Sequence, residues 1–339
     1  MLESPPARMR AWMFERTGNP REVLALRDLP VPQPSPGQVL VRVRAASVNF
    51  SDALIVRGTY QLRPPLPAVA GMEVAGETLG DDPATGLSAG TRVAGLTTGL
   101  VGAFAEYAVL DRASVFAPPP SYSYPEAACF PVAFQTAWFA VHVRGRVRAG
   151  DVVLVHAAAG GVGLAAVQLA HAAGARVIGI VGDEAKREVA KAAGCAEVLL
   201  RGGDDLVGRV KETAGGSVHV VVDPVGGAAH AVSERVVGFD GRIVIVGFAS
   251  GQVPAVRADL AMVKNYSVVG LHWGLYRDKA PDVVVEEYQR LVAVVGEAGI
   301  RPVVSSVVSF ACVPEAVAAV ESGQTAGRVA VDLGLPTPA

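Results

Sequence analysis

Two patterns of apolar positions divide the chain. From Met9 to about residue 131 the apolar residues come in short alternating runs: VLVRVRAASV (39–48), EVAGETLG (73–80), TRVAGL (91–96) and FAEYAVL (104–110). Clusters of Gly and Pro (PVPQPSPGQ, RPPLP, APPP) separate them. Alternation sends successive side chains to opposite faces, so this half reads as all-β with frequent turns. Residues 1–8, before the pattern begins, read as a loose extension. Residues 126–143 read as one helix leading into the next unit. From residue 152 the apolar runs are continuous and β-branched: VVLVH (152–156), RVIGIV (176–181), EVLL (197–200), VHVVVDPVGG (218–227), GRIVIVGFASG (241–251) and NYSVVGLHWG (265–274). Continuous runs suit strands buried on both faces. Six of them with helical spacing between predict an α/β doubly wound parallel sheet. The tail, 282–339, carries an amphipathic helix (VVVEEYQRLVAVVGEAG) and two strand-like runs, VVSSVVSF and VAVDL, that return to the first unit. The expected units are therefore 1–131 with 275–339, and 132–274.

The most apolar stretch, Val153 to Ala170, is no membrane span. A span needs about 20 apolar residues, and this one is broken by His156, paired glycines and Gln168. Its period changes from strand (152–156) to helix (162–173), with Gly174 as a stop, and a second strand follows. The turn is AAAGGVG, 157–163. Against GxGxxG the three positions hold Ala158, Gly160 and Gly163. The second glycine admits a pyrophosphate close to the backbone, and the third lets helix and strand pack closely. Amides of Ala159, Gly160, Gly161 and Val162 then face an anion at the helix start. The plain alternative is a tight packing turn.

An NAD site wants an acid at the end of the second strand; here Val181 and Gly182 end it. Lys186 and Arg201 stand where a 2′-phosphate would lie, which favours NADPH. Lys186 could equally be a solvated helix lysine. Asp183 and Glu184 argue the other way, although Asp183 also reads as the N-cap of helix 184–193. Ligands of such sheets lie at the carboxyl ends of strands. Gly247, Phe248, Ala249 and Trp273 are thus candidate nicotinamide neighbours, with core or interface an equal reading for Trp273.

Composition narrows the class. At 339 residues with 51% hydrophobic and 18% charged positions, a large core and two domains are expected. The net charge of −2 offers no basic surface for nucleic acid. Three dispersed cysteines form no CxxC pair, and the N-terminus has acid and proline where a secretory signal is basic and apolar. A reducing cytoplasm fits. The six histidines form no ligand-spaced pair, so no metal site is expected.

The stretches VNFSDALIVRGTY (48–60), PAVAGMEVAG (67–76), GAFAEYAVL (102–110), VHAAAGGVG (155–163), DPVGG (223–227), GRIVIVGFASG (241–251) and KNYSVVGLHWGLY (264–276) resemble the zinc-independent branch of the medium-chain dehydrogenase/reductase superfamily. The resemblance is to NADPH:quinone oxidoreductases, with zeta-crystallin as a relative, and it covers nearly the whole chain. It implies a GroES-like β-barrel catalytic domain, a Rossmann domain, and a homodimer paired through edge strands near 267–271. Zinc-containing relatives place cysteine in the first motif, where this chain reads Val48-Asn49-Phe50-Ser51-Asp52, and His-Glu in the second, where it reads Met72-Glu73. The resemblance puts Asn49 and Asp52 beside the nicotinamide, with Asp52 as an organiser. It puts Tyr60 over the substrate pocket as a phenolic acid or an apolar wall, and gives Thr136 and Arg328 cofactor contacts. Arg63 reads as a solvated surface arginine. Where the family has a phosphate-binding tyrosine, this chain has Arg201.

Without a metal to polarise an isolated carbonyl, the acceptor must already be activated by conjugation. Hydride transfer from NADPH to a quinone is the first expectation. Reduction of the C=C bond of α,β-unsaturated carbonyls or enoyl thioesters, a biosynthetic role included, is the second; the same motifs serve both. A cofactor- and RNA-binding protein of zeta-crystallin type is the non-enzymatic third, and it ranks below the other two.

Overall fold

The structure is a computed structural model describing residues 5–81 and 86–334. The chain divides into two compact units, Met1–Val132 with Arg301–Ala339, and Ala133–Ile300.

The first unit is built on a six-stranded sheet in the order Val304–Ser309, Arg328–Asp332, Gln38–Val48, Glu73–Thr78, Arg92–Thr97, Tyr107–Phe116. Gln38–Val48 is long enough to serve three neighbours. Its first half pairs with Tyr107–Phe116, closing four strands on themselves, while its second half takes Arg328–Asp332. Closure brings backbones very near: a Cβ at Gly76 would lie 2.0 Å from the carbonyl oxygen of Arg42. Alternating inward residues such as Val41, Val43, Val74 and Leu110 fill the barrel with Phe14 and Phe104. A three-stranded sheet (Ala25–Pro30, Arg8–Phe14, Ala68–Val69) belongs to the same unit. The first strand starts at Arg8. Of the expected N-terminal extension, residues 1–4 lie outside the described residues.

The tail returns to this barrel through both expected strands. It also carries a helix the sequence pattern did not announce, Val313–Glu321. Its Val313 and Val317 join the core that holds Ala53 and Val56 of the helix Phe50–Arg57.

The second unit is a parallel sheet in the order Glu197–Leu200, Arg176–Val181, Val152–His156, Val218–Asp223, Val237–Ile245, Ser267–Gly270. Numbered along the chain this is 3-2-1-4-5-6, the order of a doubly wound dinucleotide fold. Leu154, Ile178, Val221 and Ile243 are fully buried or nearly so, as continuous apolar strands require. Helix Gly161–Ala172 follows the first strand across the expected turn. Among the described residues no helix is long and apolar enough to cross a membrane.

Two expected boundaries move. Residues 126–143 are not one helix but Tyr124–Ala128, Pro131–Trp138 and a π-helical turn Phe139–Arg144. Pro131 has no N–H with which to continue the first piece. The parallel-sheet unit also runs to Ile300 rather than 274. Trp138 Nε1 donates to Glu287 Oε2 at 2.6 Å, and the rings of Phe139 and Tyr276 lie 4.7 Å apart. Helix Pro281–Glu297 buries Val284, Tyr288, Leu291 and Val295. Its apolar stripe thus belongs to the second unit, not to the barrel.

Candidate active site

The turn after the first parallel strand has the geometry its glycines imply. Ala157 takes a positive φ, and helix Gly161–Ala172 starts with Gly160 as its cap. A Cβ on Gly163 would lie 2.1 Å from the Ala157 carbonyl oxygen, so only glycine fits. Ala158 and Ala159 are buried, while Gly160, Gly161 and Val162 remain partly accessible. The first-turn amides have no carbonyl a turn behind them to bond, which leaves them for an anion.

At the end of the second strand Arg201 lies beside Val181 and Gly182, and Lys186 pairs with Asp183. Leu200 pairs with Val181, and Arg201 N–H donates to the Val181 carbonyl at 2.8 Å. A Cβ on Gly182 would stand 3.6 Å from an Arg201 guanidinium nitrogen. Lys186 Nζ lies 2.9 Å from Asp183 Oδ2, and the hydrogen bond from Lys186 holds the Asp183 carboxyl below its ordinary range. Asp183 also accepts the Lys186 N–H, which is its capping role. No carboxylate replaces Val181, which is buried. The residues present therefore fit a dinucleotide carrying a 2′-phosphate.

The turns after the fourth and fifth strands are tied to one another. Val246 and Ala249 N–H donate to the carbonyls of Asp223 and Pro224. Gly247 is partly accessible and Phe248 is exposed. Trp273 opens helix Trp273–Lys279; it is buried, and its indole N–H finds no partner among the described residues. Beneath these turns lies a polar cluster that the pattern did not point to. Asp223 Oδ1 accepts from the Val225 and Gly226 N–H groups. Its Oδ2 is 3.4 Å from His230 Nδ1, and His230 Nε2 is 3.6 Å from Glu234 Oε1. His156 Nε2 is 3.0 Å from Ser233 Oγ. Since Ser233 donates to the Ala229 carbonyl, His156 is the donor in that bond. Burial pushes the His156 pKa down to about 4. The i,i+4 pair His230/Glu234 on an otherwise buried helix face was the available signal. Thr136 is half-buried on Pro131–Trp138.

The barrel unit gathers a second constellation from distant segments. Asn49 caps helix Phe50–Arg57, and Asp52 Oδ2 accepts the Asn49 N–H at 2.7 Å. Asn49 Nδ2 donates to Glu73 Oε2 at 3.0 Å, and the Val132 N–H donates to Glu73 Oε1 at 2.7 Å. Arg328 Nη2 lies 2.8 Å from Glu73 Oε2 and 2.9 Å from Asn49 Oδ1, and also donates to Ser47. Ser47 in turn reaches Cys129 Sγ at 3.4 Å. Glu73, Ser47, Asp52 and Asn49 are all buried, and Arg328 is only 8% exposed. Arg328, expected at the cofactor, spends this end of its guanidinium on the barrel cluster. Burial pushes the Asp52 carboxyl up to about 7; the Asn49 N–H and Arg328 oppose this and Glu73 adds to it. Burial likewise raises Glu73 and Cys129. Tyr60 is half-buried, and burial together with the charge of Asp52 raises its phenol. Arg63 is exposed. Glu73 and Ser47 were not picked out as site residues; a charge at an apolar position of the strand Glu73–Thr78 was the signal.

A GroES-like barrel joined to a Rossmann sheet defines the medium-chain dehydrogenase/reductase class, and comparison with known proteins agrees. Residues 35–120 match the alcohol dehydrogenase GroES-like domain, and residues 161–294 match the family described as zinc-binding dehydrogenase. The quinone oxidoreductase-like protein 2 of Rattus norvegicus is 34% identical over 318 residues, covering 92% of this chain and 90% of that protein. The quinone oxidoreductase of Thermus thermophilus, solved also as its NADPH complex, superposes with a TM-score of 0.81 at 31% identity, covering 96% of this chain and 100% of that one. A mycobacterial protein complexed with NADPH gives a TM-score of 0.87 at 30% identity, covering 96% and 99%. The chain belongs to the quinone oxidoreductase family of medium-chain dehydrogenases/reductases.

Proposed function

We propose that this chain is an NADPH-dependent reductase of conjugated carbonyl acceptors, with quinones as its substrate class, and that it works without a catalytic metal. The carrying observation is the barrel cluster. Its buried carboxylate Glu73 is already paired with a guanidinium, and Asn49, Ser47 and Asp52 surround it where metal chemistry would want thiolates and imidazoles. A Lewis-acidic zinc finds no donor set there, which favours acceptors that need no such activation. Bound NADPH supplies the hydride. The chain supplies the turn at Ala159–Val162 for the pyrophosphate, Lys186 and Arg201 for the 2′-phosphate, and Thr136, Gly247, Phe248 and Trp273 as neighbours of the nicotinamide. Tyr60 offers a donor to the acceptor oxygen on which charge builds.

A second copy is the expected partner. The strand Ser267–Gly270 ends the parallel sheet with one edge unpaired among the described residues, and Met262 and Val263 shortly before it are both strongly exposed. Such an edge favours strand pairing across a homodimer. Three free cysteines suit a reducing compartment such as the cytoplasm.

The test is NADPH consumption with benzoquinone, an alkenal and crotonyl-CoA, and NADH in parallel. Turnover with benzoquinone and not with the others supports the reading. A preference for the alkenal or thioester moves the function to C=C reduction. No consumption with any acceptor rejects both.

A further inference from the structure

The strand order of the parallel sheet reverses between its first and fourth strands, and the crevice at such a reversal is where a doubly wound sheet takes its ligand. Val220, Val221 and Val222 pair with Val153, Leu154 and Val155. The next positions, Asp223 and His156, therefore end the two strands that flank the crevice. Both are buried, as are His230 and Glu234 on the helix Ala228–Val236 that follows. Two carboxylates shut away from water need a cation. Asp223 Oδ1 is engaged by the Val225 and Gly226 N–H groups. Glu234 Oε1 accepts the Arg257 N–H at 2.7 Å and faces the Tyr266 hydroxyl at 3.3 Å. Neither carboxyl pairs with a lysine or arginine side chain among the described residues. The Arg257 guanidinium pairs with Asp259, and Lys264 Nζ donates to the Glu234 backbone carbonyl.

His230 stands between the two. Its Nδ1 is 3.4 Å from Asp223 Oδ2, and its Nε2 is 3.6 Å from Glu234 Oε1. These are ion-pair distances without the alignment of a hydrogen bond, and the attraction of opposite charges depends on separation rather than alignment. A neutral imidazole would turn a lone pair toward one of the carboxylates; an imidazolium turns an N–H toward each. Burial works to raise the Asp223 carboxyl, yet its neighbours, His230 first among them, bring it below its ordinary range. His156 is the neutral neighbour: its Nε2 donates to Ser233, and burial pushes its pKa down to about 4. The other charged groups act from exposed positions, Arg201 on His156 and the Arg257–Asp259 pair on Glu234 and Tyr266.

Resting on the reductase reading above, we propose that His230 is a positioning residue of that site: as an imidazolium between two buried carboxylates it anchors Asp223, and through Asp223 the turn 223–227 that borders the nicotinamide. The turn is tied on its other side as well. The Val246, Ala249 and Ser250 N–H groups donate to the carbonyls of Asp223, Pro224 and Val225, and the Gly227 N–H donates to that of Gln252. A Cβ on Gly226 would stand 2.8 Å from the Phe248 ring, so the turn and Phe248 form one wall. The Asp223 carboxylate holds this wall from beneath. Without its cation it draws a proton or water, and its grip on the Val225 and Gly226 N–H groups weakens. The effect stays at the nicotinamide end, because the same reading gives the phosphates to the turn 157–163 and to the end of the second strand.

The experiment has two parts. The first is ring-nitrogen NMR of the full chain, labelled at histidine, at about pH 7, with His230→Gln beside it to identify the signal. Both ring nitrogens of His230 are expected to carry protons; a single protonated nitrogen overturns the proposal. The second is fluorescence titration with NADPH and its displacement by 2′-phospho-ADP-ribose, the fragment without nicotinamide. His230→Gln keeps a donor for only one carboxylate. It is expected to bind NADPH about fivefold more weakly and the fragment within about twofold of the wild type. Adding Asp223→Asn removes the unbalanced charge and keeps an acceptor for the Val225 and Gly226 N–H groups, so the double variant is expected to recover most of the NADPH affinity. Equal losses for NADPH and the fragment, or no loss at all, overturn the proposal, and so does a double variant no better than the single one. Where the single variant does not fold, a folded double variant with wild-type affinity supports the charge role and an unfolded one rejects it. If no acceptor is reduced, the reductase reading falls, while the NMR and the titrations still decide the role of His230.

Discussion

The two units solve the problem of holding charge in opposite ways. The parallel-sheet unit builds its proposed anion site from backbone: the turn 157–163 and a helix start that needs no charged side chain. The barrel unit prepares its polar site with side chains drawn from residues 47, 49, 52, 73 and 328, which meet only because Arg328–Asp332 pairs beside the second half of Gln38–Val48. The first is local and tolerant of what lies elsewhere. The second is long-range, buried, and dependent on every member.

That difference predicts unequal responses to mutation. The largest effect is expected at Arg328. Arg328→Met leaves Glu73 buried without its cation, a loss of about 3–5 kcal/mol by denaturant unfolding. Adding Glu73→Leu is expected to recover most of that loss, because removing both charges removes the imbalance. A double mutant no better than the single would show that the cluster's worth is packing, not charge.

Next is Gly163→Ala, where the new Cβ meets a backbone oxygen that cannot swing aside. A loss of about 3 kcal/mol is expected, with NADPH binding, read by fluorescence titration, weakened at least about tenfold. Full stability with normal affinity would mean that the turn relaxes freely and that the contrast between the two sites is overstated.

Changes at the phosphate end should touch affinity and leave the fold alone. Replacing Lys186 and Arg201 together by Ala is expected to weaken NADPH about tenfold or more and NADH hardly at all. Equal losses for both cofactors would move the 2′-phosphate elsewhere. The smallest effect is expected from Asp183→Asn, which releases Lys186 from its ion pair. NADPH should bind about two- to threefold more tightly, with the gain shrinking as salt rises.

The same contrast explains what could be read in advance. The turn at 157–163 was legible because each requirement is met within one strand-turn-helix: Gly163 has to be glycine because the Ala157 oxygen lies a short way behind it in the same turn. Asn49 and Asp52 stood out through the VNFSD stretch, but neither their partners nor their charges did. Glu73 looked like a single acid unable to hold a metal, and Arg328 like a tail residue on its way to the cofactor. Their separation of 255 positions leaves no periodicity to detect. The helix Val313–Glu321 escaped notice for a related reason: its apolar face is defined by the barrel it covers. Residues 275–300 were assigned to the wrong unit because Glu287 and Tyr276 answer to Trp138 and Phe139, far away in sequence.

Taken by itself, the order of letters determined the elements whose causes are local: the alternating barrel strands, the six buried parallel strands, the glycine turn, and the absence of an acid at Val181 that points toward NADPH. Tertiary structure alone decided which charges share one buried volume. Protonation depends on that volume, since desolvation and the position of the single guanidinium set whether a carboxyl is an acid or an anion. Asp52 and Glu73 have similar chemistry as free residues. The fold makes one of them the partner of Arg328 and leaves the other with a bare oxygen.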